Sequence, residues 1–128
     1  MAVEEILTYL QDVLDAINDM QSCFIDFPNR YDIFEKDIMR RCVVERKVEI
    51  MGEAINRIKK IDSNVPIPNA RAIIDTRNRI IHAYDNVQPE FLWSLVIRHI
   101  PQLKEDIENV IAEYEARYNN ELNSQQPQ

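Results

Sequence analysis

An arginine, a histidine and a tyrosine lie within eight residues of this chain, at Arg77, His82 and Tyr84. Imidazole has the side-chain pKa nearest neutrality, so His82 can take a proton from an attacking hydroxyl or give one to a leaving oxygen. A guanidinium is permanently charged and forked, so Arg77 can hold a phosphate and stabilise the charge that develops on it. The two groups together suit RNA cleavage, in which the substrate's own 2′-hydroxyl attacks and no metal or cofactor is required.

The helical pattern around these residues sets a geometric problem. Four isoleucines form one apolar stripe on a helical wheel, at Ile73, Ile74, Ile80 and Ile81. Arg77 falls in the centre of this stripe, so it must meet a carboxylate, line a wet cleft, or sit at an interface that another chain or ligand completes. His82 lies about 140° away from Arg77 on the same wheel. Either the last turn unwinds, or a second copy supplies the missing group; we favour a homodimer, because it also explains an arginine on an apolar face.

Composition favours a single cytoplasmic domain. The chain has 128 residues, of which 45% are hydrophobic and 29% charged, and no apolar run is long enough to span a bilayer. The first ten residues carry Glu4 and Glu5 and lack the features of a signal peptide, so we expect no membrane association. Neither Cys23 and Cys42 nor the acidic neighbours of His82 form a recognised ligand pattern, and we therefore expect no metal and no cofactor.

The glycine content predicts an all-α fold. Gly52 is the only glycine in the chain, whereas β-hairpin turns depend heavily on glycine. The hydrophobic periodicity predicts helices over residues 3–22, 31–60 and 69–84, a short helix from residue 88, and a fifth helix if Pro101 begins one rather than kinking the fourth. We expect an antiparallel bundle of four to five helices spanning residues 1–118, followed by a disordered polar tail at 119–128. At Gly52 we expect close helix packing rather than a functional role.

Charge is distributed unevenly along the chain. The formal net charge is −7, which argues against a generic nucleic-acid binder. Residues 38–82, however, carry ten basic and five acidic residues, while the flanking segments are strongly acidic. The segment could form a local basic surface beside His82 within an acidic protein, but charge alone favours the simpler explanation that these are ordinary solvated helix faces.

Several segments together resemble one known family. The string Arg77-Asn78-x-x-x-His82-x-Tyr84 resembles the signature of the HEPN superfamily, specifically its HepT-like toxins. Residues 50–55, which include a Gly-Glu-Ala sequence, resemble the family's segment in the long helix before the motif. Residues 84–87, 91–93 and 100–103 resemble the segment after the motif in order and spacing, so the resemblance covers most of the chain up to about residue 115.

The resemblance implies both a fold and an activity. It implies a helical bundle that dimerises through the motif helix, with Arg77 and His82 from both subunits lining a cleft. Arg77 would hold the scissile phosphate, His82 would act as general acid or base, and Asn78 would orient the site of a metal-independent endoribonuclease. The implied partner is a nucleotidyltransferase-fold antitoxin that can transfer AMP units to Tyr84 and thereby block RNA.

Two function hypotheses follow from these observations. The first is a ribonuclease toxin that is restrained by its antitoxin. The second is a non-catalytic helical dimer that binds a nucleotidyltransferase partner and serves as its scaffold or substrate. An orphan helical bundle without activity is disfavoured by the coherence of the motif, and without the resemblance Tyr84 would be read as a packing residue.

Overall fold

Helices form all of the regular structure in the computed structural model, which describes residues 2–82 and 88–125. No helix among these residues is both long enough and apolar enough to cross a membrane. A π-helical turn, Leu95–His99, lies between the last two helices. The helices are α1 (Ala2–Ser22), α2 (Tyr31–Lys36), α3 (Ile38–Ile61), α4 (Ala70–His82), α5 (Pro89–Ser94) and α6 (Ile100–Ser124). The prediction of an all-α bundle is confirmed.

Helix α3 lies at the centre of this bundle. It packs against α1 on one side and α4 on another, while α6 packs against α1. Lys47 contacts Asp19, whereas Arg57, ten residues further along α3, lies over the ring of Tyr9, ten residues earlier in α1. The two helices are therefore antiparallel. The apolar stripe of α1 faces the core, in which Ile6, Leu10, Val13, Ile17 and Met20 are all buried.

The predicted helix over residues 31–60 is interrupted at Asp37. The Asp37 carboxylate accepts a hydrogen bond from the backbone N–H of Arg40 at 3.0 Å, and the Arg40 guanidinium lies 2.6 Å from it. Asp37 therefore caps the start of α3. The cap supplies a hydrogen-bond acceptor to a backbone N–H in the first turn, and a new helix begins here instead of one continuous helix. Ile38 is the first residue of α3 and is 68% exposed.

Pro101 begins a helix and also distorts the one before it. It lies in the first turn of α6, where its missing N–H does no harm. The carbonyl oxygen of Ile97, however, loses its usual hydrogen-bond donor, because the proline at position 101 has no N–H. The chain responds with a wider turn, in which the N–H of Ile100 donates to the carbonyl of Leu95, five residues back.

The end of the chain is more helical than its composition predicted. Helix α6 continues to Ser124, so the prediction of disorder from residue 119 was wrong for residues 119–124. Tyr114 is buried and anchors the preceding turns, and extending an existing helix costs much less than starting one. Residues 126–128, the end of the predicted tail, lie outside the described residues.

The Asp37 cap generates a stability prediction. Asp37→Ala should lower the free energy of unfolding by about 1 kcal/mol, because it leaves an N–H at the start of α3 without its partner. Asp37→Asn should recover most of this loss. Asp32→Ala is the matched control, since its pair with Arg30 is exposed on both sides. Urea denaturation measures all three, and an equal loss for Asp32→Ala and Asp37→Ala would contradict the capping role.

Candidate active site

Arg77 reaches its position by crossing α3 at the only glycine of the chain. A Cβ atom built at Gly52 would overlap with Cδ of Arg77 and would lie 3.1 Å from both its Cβ and its Cγ. The bare backbone of Gly52 therefore leaves the space in which the methylene groups of Arg77 lie. The predicted close packing at Gly52 is confirmed, and its partner is the candidate catalytic side chain itself.

The guanidinium of Arg77 ends at the residue that follows this glycine. Its Nη2 lies 3.1 Å from Oε2 of Glu53, and the Arg77 side chain is only 20% exposed. The other carboxylate oxygen of Glu53 accepts a hydrogen bond from Nε of Arg57 at 2.8 Å. One carboxylate thus bridges two guanidinium groups. The sequence required Arg77 to meet a carboxylate, line a cleft or sit at an interface, and Glu53 provides the carboxylate.

The charges of this cluster reinforce one another across three helices. The hydrogen bond from Arg57, helped by the charges of Arg57, Arg77 and Lys60, holds the pKa of Glu53 below its usual value. A hydrogen bond with Tyr9, followed by the one to Glu53, raises the pKa of Arg57. Tyr9 belongs to α1, Arg57 and Glu53 to α3, and Arg77 to α4. This polar chain therefore links the side chain of Arg77 to both α3 and α1.

Arg77 and Glu53 face an open cleft of about 460 Å³. Apolar side chains form part of its wall, and the rim residue Ile81 is 46% exposed. The cleft is lined by Tyr9, Asp12, Arg46, Glu49, Ile50, Glu53, Ala54, Arg57, Arg77 and Ile81. Its three arginines are matched by the carboxylates of Asp12, Glu49 and Glu53, so an anionic group would bind N–H groups of the arginines that these carboxylates leave free.

His82 lies outside this cleft. It is exposed at the end of α4, and α4 remains helical through His82, so the described helix does not unwind to bring it towards Arg77. Asn78, the predicted supporting residue, is exposed on the same side of the helix as His82. Tyr84, the predicted modification site, lies outside the described residues. The structure therefore joins Arg77 to Glu53 within one chain but does not join Arg77 to His82.

The apolar stripe around Arg77 is only half covered. Ile73 is completely buried, Ile74 and Ile80 are half-buried, and Ile81 is exposed. Within one chain, the stripe is thus a core surface at its start and an open surface at its end. The exposed end of the stripe is Ile81, which adjoins the cleft that Arg77 faces.

Sequence reasoning did not assign a role to Glu53. The available signal was its position next to the only glycine, on the helix that a buried arginine had to approach. The basic segment is also less positive than its composition suggests, because Arg40, Arg46, Lys47, Arg57, Arg71 and Arg77 all form ion pairs. Within the described part of the chain, no group of three or more His, Cys, Asp or Glu side chains could hold a metal ion.

Comparison with known proteins identifies the family. The profile of the family described as ribonuclease HepT-like matches residues 6–110, which is most of the chain. The chain belongs to the HepT-like family. The resemblance drawn from the Arg77–His82 motif is therefore confirmed.

Relatives of this HepT-like chain match over nearly their whole length. A Thermococcus cleftensis protein named "Probable ribonuclease HepT" is 32% identical over 80% of this chain and 92% of its own. Two Methanocaldococcus jannaschii proteins, both described as candidate RNases, are 28% and 30% identical and are covered completely, over 95% and 86% of this chain. No solved structure matches the chain.

The Glu53 cluster generates a prediction about pH. Because the pKa of Glu53 is depressed in the folded protein, its charge stabilises the fold above the unfolded pKa of about 4.3, and this contribution is lost as pH falls through the folded value. Glu53→Gln should therefore lower the melting temperature near neutral pH, and the difference from the native protein should shrink on acidification.

Glu49→Gln is the control for this prediction. Glu49 lines the same cleft one turn earlier in α3 and pairs with the well-exposed Arg46 at 3.4 Å, so its loss should cost less. Thermal unfolding across the acidic range measures both variants. A Glu53→Gln effect that grows on acidification, or equal effects of the two variants, would contradict the role of Glu53.

Proposed function

We propose that this HepT-like protein is a metal-independent endoribonuclease whose active site combines Arg77 of one chain with His82 of a second chain. The observation that carries the proposal is the clamped Arg77. The Arg77 side chain is 20% exposed, pairs with Glu53 and faces an open cleft, so its guanidinium is oriented before an anion arrives. The names of the relatives favour RNA as the source of that anion.

The proposed reaction uses only groups that the chain and the RNA supply. The fork of Arg77 holds the scissile phosphate and stabilises the charge that builds up on its oxygens. The 2′-hydroxyl of the RNA attacks the phosphorus and loses its proton, while the bond to the 5′-oxygen breaks and that oxygen gains a proton. His82 serves as general acid or base in these transfers. The products are a 2′,3′-cyclic phosphate and a 5′-hydroxyl.

Two chains are proposed because one helix separates the two groups. Arg77 and His82 lie about 140° apart around α4, and the helix is intact between them. The exposed Ile81 and the half-buried Ile80 adjoin Arg77 and offer an apolar surface for a second copy. In a symmetric pair, each α4 presents Arg77 towards the partner and receives the partner's histidine in return.

Regulation is proposed to come from a partner protein. We infer a toxin–antitoxin pair in which a nucleotidyltransferase-fold antitoxin transfers AMP from ATP to Tyr84: the tyrosine oxygen loses its proton and bonds to the α-phosphorus, and pyrophosphate leaves. Tyr84 follows His82 by two residues, so an added phosphate and nucleoside would place negative charge and bulk beside the site and repel RNA.

The function is tested by RNA cleavage with purified native protein, Arg77→Ala and His82→Ala. Both variants should lose at least about a hundredfold in rate, because each removes a group that acts in the transition state. His99→Ala is the control for His82→Ala, since these are the only two histidines in the chain. Activity should persist in the presence of a chelator. Equal activity in all four proteins would contradict the enzyme proposal and favour a non-catalytic scaffold.

A mixing experiment tests whether the site is shared between chains. When Arg77→Ala and His82→Ala chains are mixed and allowed to exchange, each mixed dimer regains one site with a native arginine and a native histidine. Random mixing should then restore about a quarter of the native activity. A site built within one chain would show no recovery, which would contradict the two-chain arrangement while leaving the ribonuclease proposal standing.

A further inference from the structure

Helix α4 carries three arginines, and only one of them is free of an ion pair among the described residues. Arg71 pairs with Asp75 at 3.3 Å, and Arg77 pairs with Glu53 at 3.1 Å. Arg79 instead lies over the ring of Phe91, with its guanidinium carbon 4.1 Å from the ring centre. The ring restricts the side chain of Arg79 without cancelling its charge.

Arg79 also shares a helix face with His82. The two residues are three positions apart, which places them about 60° apart around α4 with Cβ atoms about 5–6 Å apart. Both are exposed, and so is Asn78 on the same side. Arg77 lies on the opposite side of α4, where Glu53 already engages it. Within one chain, the arginine that stands beside the candidate catalytic histidine is therefore Arg79.

The residues around Arg79 leave its guanidinium accessible to an anion. A shallow groove of about 220 Å³ runs beside it, between α4 and the π-helical turn. Asp75 is the one carboxylate among its described lining residues, and it is already paired with Arg71. Phe91 is 39% exposed, so the Arg79–Phe91 pair lies at the surface and carries a positive charge there.

We infer that Arg79 binds a backbone phosphate of the RNA strand on the His82 side of α4, next to the phosphate that is cleaved. This inference rests on the proposed ribonuclease function and adds a substrate-binding residue to it. Arg77 from one chain holds the scissile phosphate. On the other chain, Arg79 binds the neighbouring phosphate and His82 transfers the proton. Phe91 keeps the Arg79 side chain extended along the face that the strand crosses.

Binding and cleavage are measured separately to test the inference. A fluorescently labelled 2′-O-methyl RNA of mixed sequence cannot supply the attacking hydroxyl and therefore reports binding alone. Arg79→Ala should weaken its binding about tenfold, because a charge-assisted contact is lost. The slope of log Kd against log salt should become shallower by about 0.7, the value for one phosphate contact on a single strand. Arg79→Lys should keep most of the slope.

Arg71→Ala is the matched control for Arg79→Ala. It removes an arginine from the same helix and is combined with Asp75→Ala, so that no unpaired carboxylate is left beside Arg79; the combination should change neither Kd nor the salt slope appreciably. Phe91→Leu should weaken binding less than Arg79→Ala, because the charge remains and only its support is lost. Equal binding by this combined control and by Arg79→Ala, or no binding by the native protein, would overturn the inference.

Cleavage of an ordinary RNA then separates this inference from the proposed function. Arg79→Ala should raise KM more than it lowers kcat, whereas Arg77→Ala and His82→Ala should lower kcat. If Arg77 and His82 prove essential but Arg79→Ala cleaves like the native protein, the Arg79 assignment fails and the ribonuclease proposal survives. If Arg79 controls binding but no variant or native protein cleaves RNA, the ribonuclease proposal fails instead.

Discussion

The site depends on one contact, the passage of the Arg77 side chain over the backbone of Gly52 to the carboxylate of Glu53. A buried guanidinium is tolerated only when it is paired, and a pair between two helices forms only when their backbones approach closely enough. Gly52 allows the approach, and Glu53 supplies the pair. Because Glu53 is also held by Arg57, the direction of Arg77 is set by the packing of α1 against α3 as well as of α3 against α4.

A second constraint is the period of the helix itself. An intact α4 points Arg77 into the cleft and His82 to the other side, which is why the proposed chemistry of both residues calls for a second chain. The half-covered isoleucine stripe fits this view, since it offers apolar surface beside Arg77. The same period places Arg79 next to His82. The motif helix thus presents two differently supported cations, Arg77 held by a carboxylate and Arg79 by an aromatic ring.

Much of this could be predicted from the sequence, and the remainder has identifiable causes. The periodicity of α1 and the scarcity of glycine indicated helices, and the place of Arg77 on an apolar stripe indicated a need for compensation. Glu53 could not be chosen from the other carboxylates, because the choice depends on how α3 and α4 align in space. The break at Asp37 is a local capping event that hydrophobic periodicity does not detect. The helix over residues 119–124 reflects propagation from buried turns, which composition alone does not register.

The most direct test of the account is the effect of Gly52→Ala on unfolding, measured in the native protein and in an Arg77→Ala background. Helix propensity alone favours alanine by about 1 kcal/mol, whereas displacing a packed side chain costs about 1–3 kcal/mol. We predict that Gly52→Ala destabilises the native protein and is at least about 1 kcal/mol less unfavourable once Arg77 is truncated. An identical change in the free energy of unfolding in both backgrounds would contradict the claim that Gly52 provides the space in which the Arg77 side chain packs.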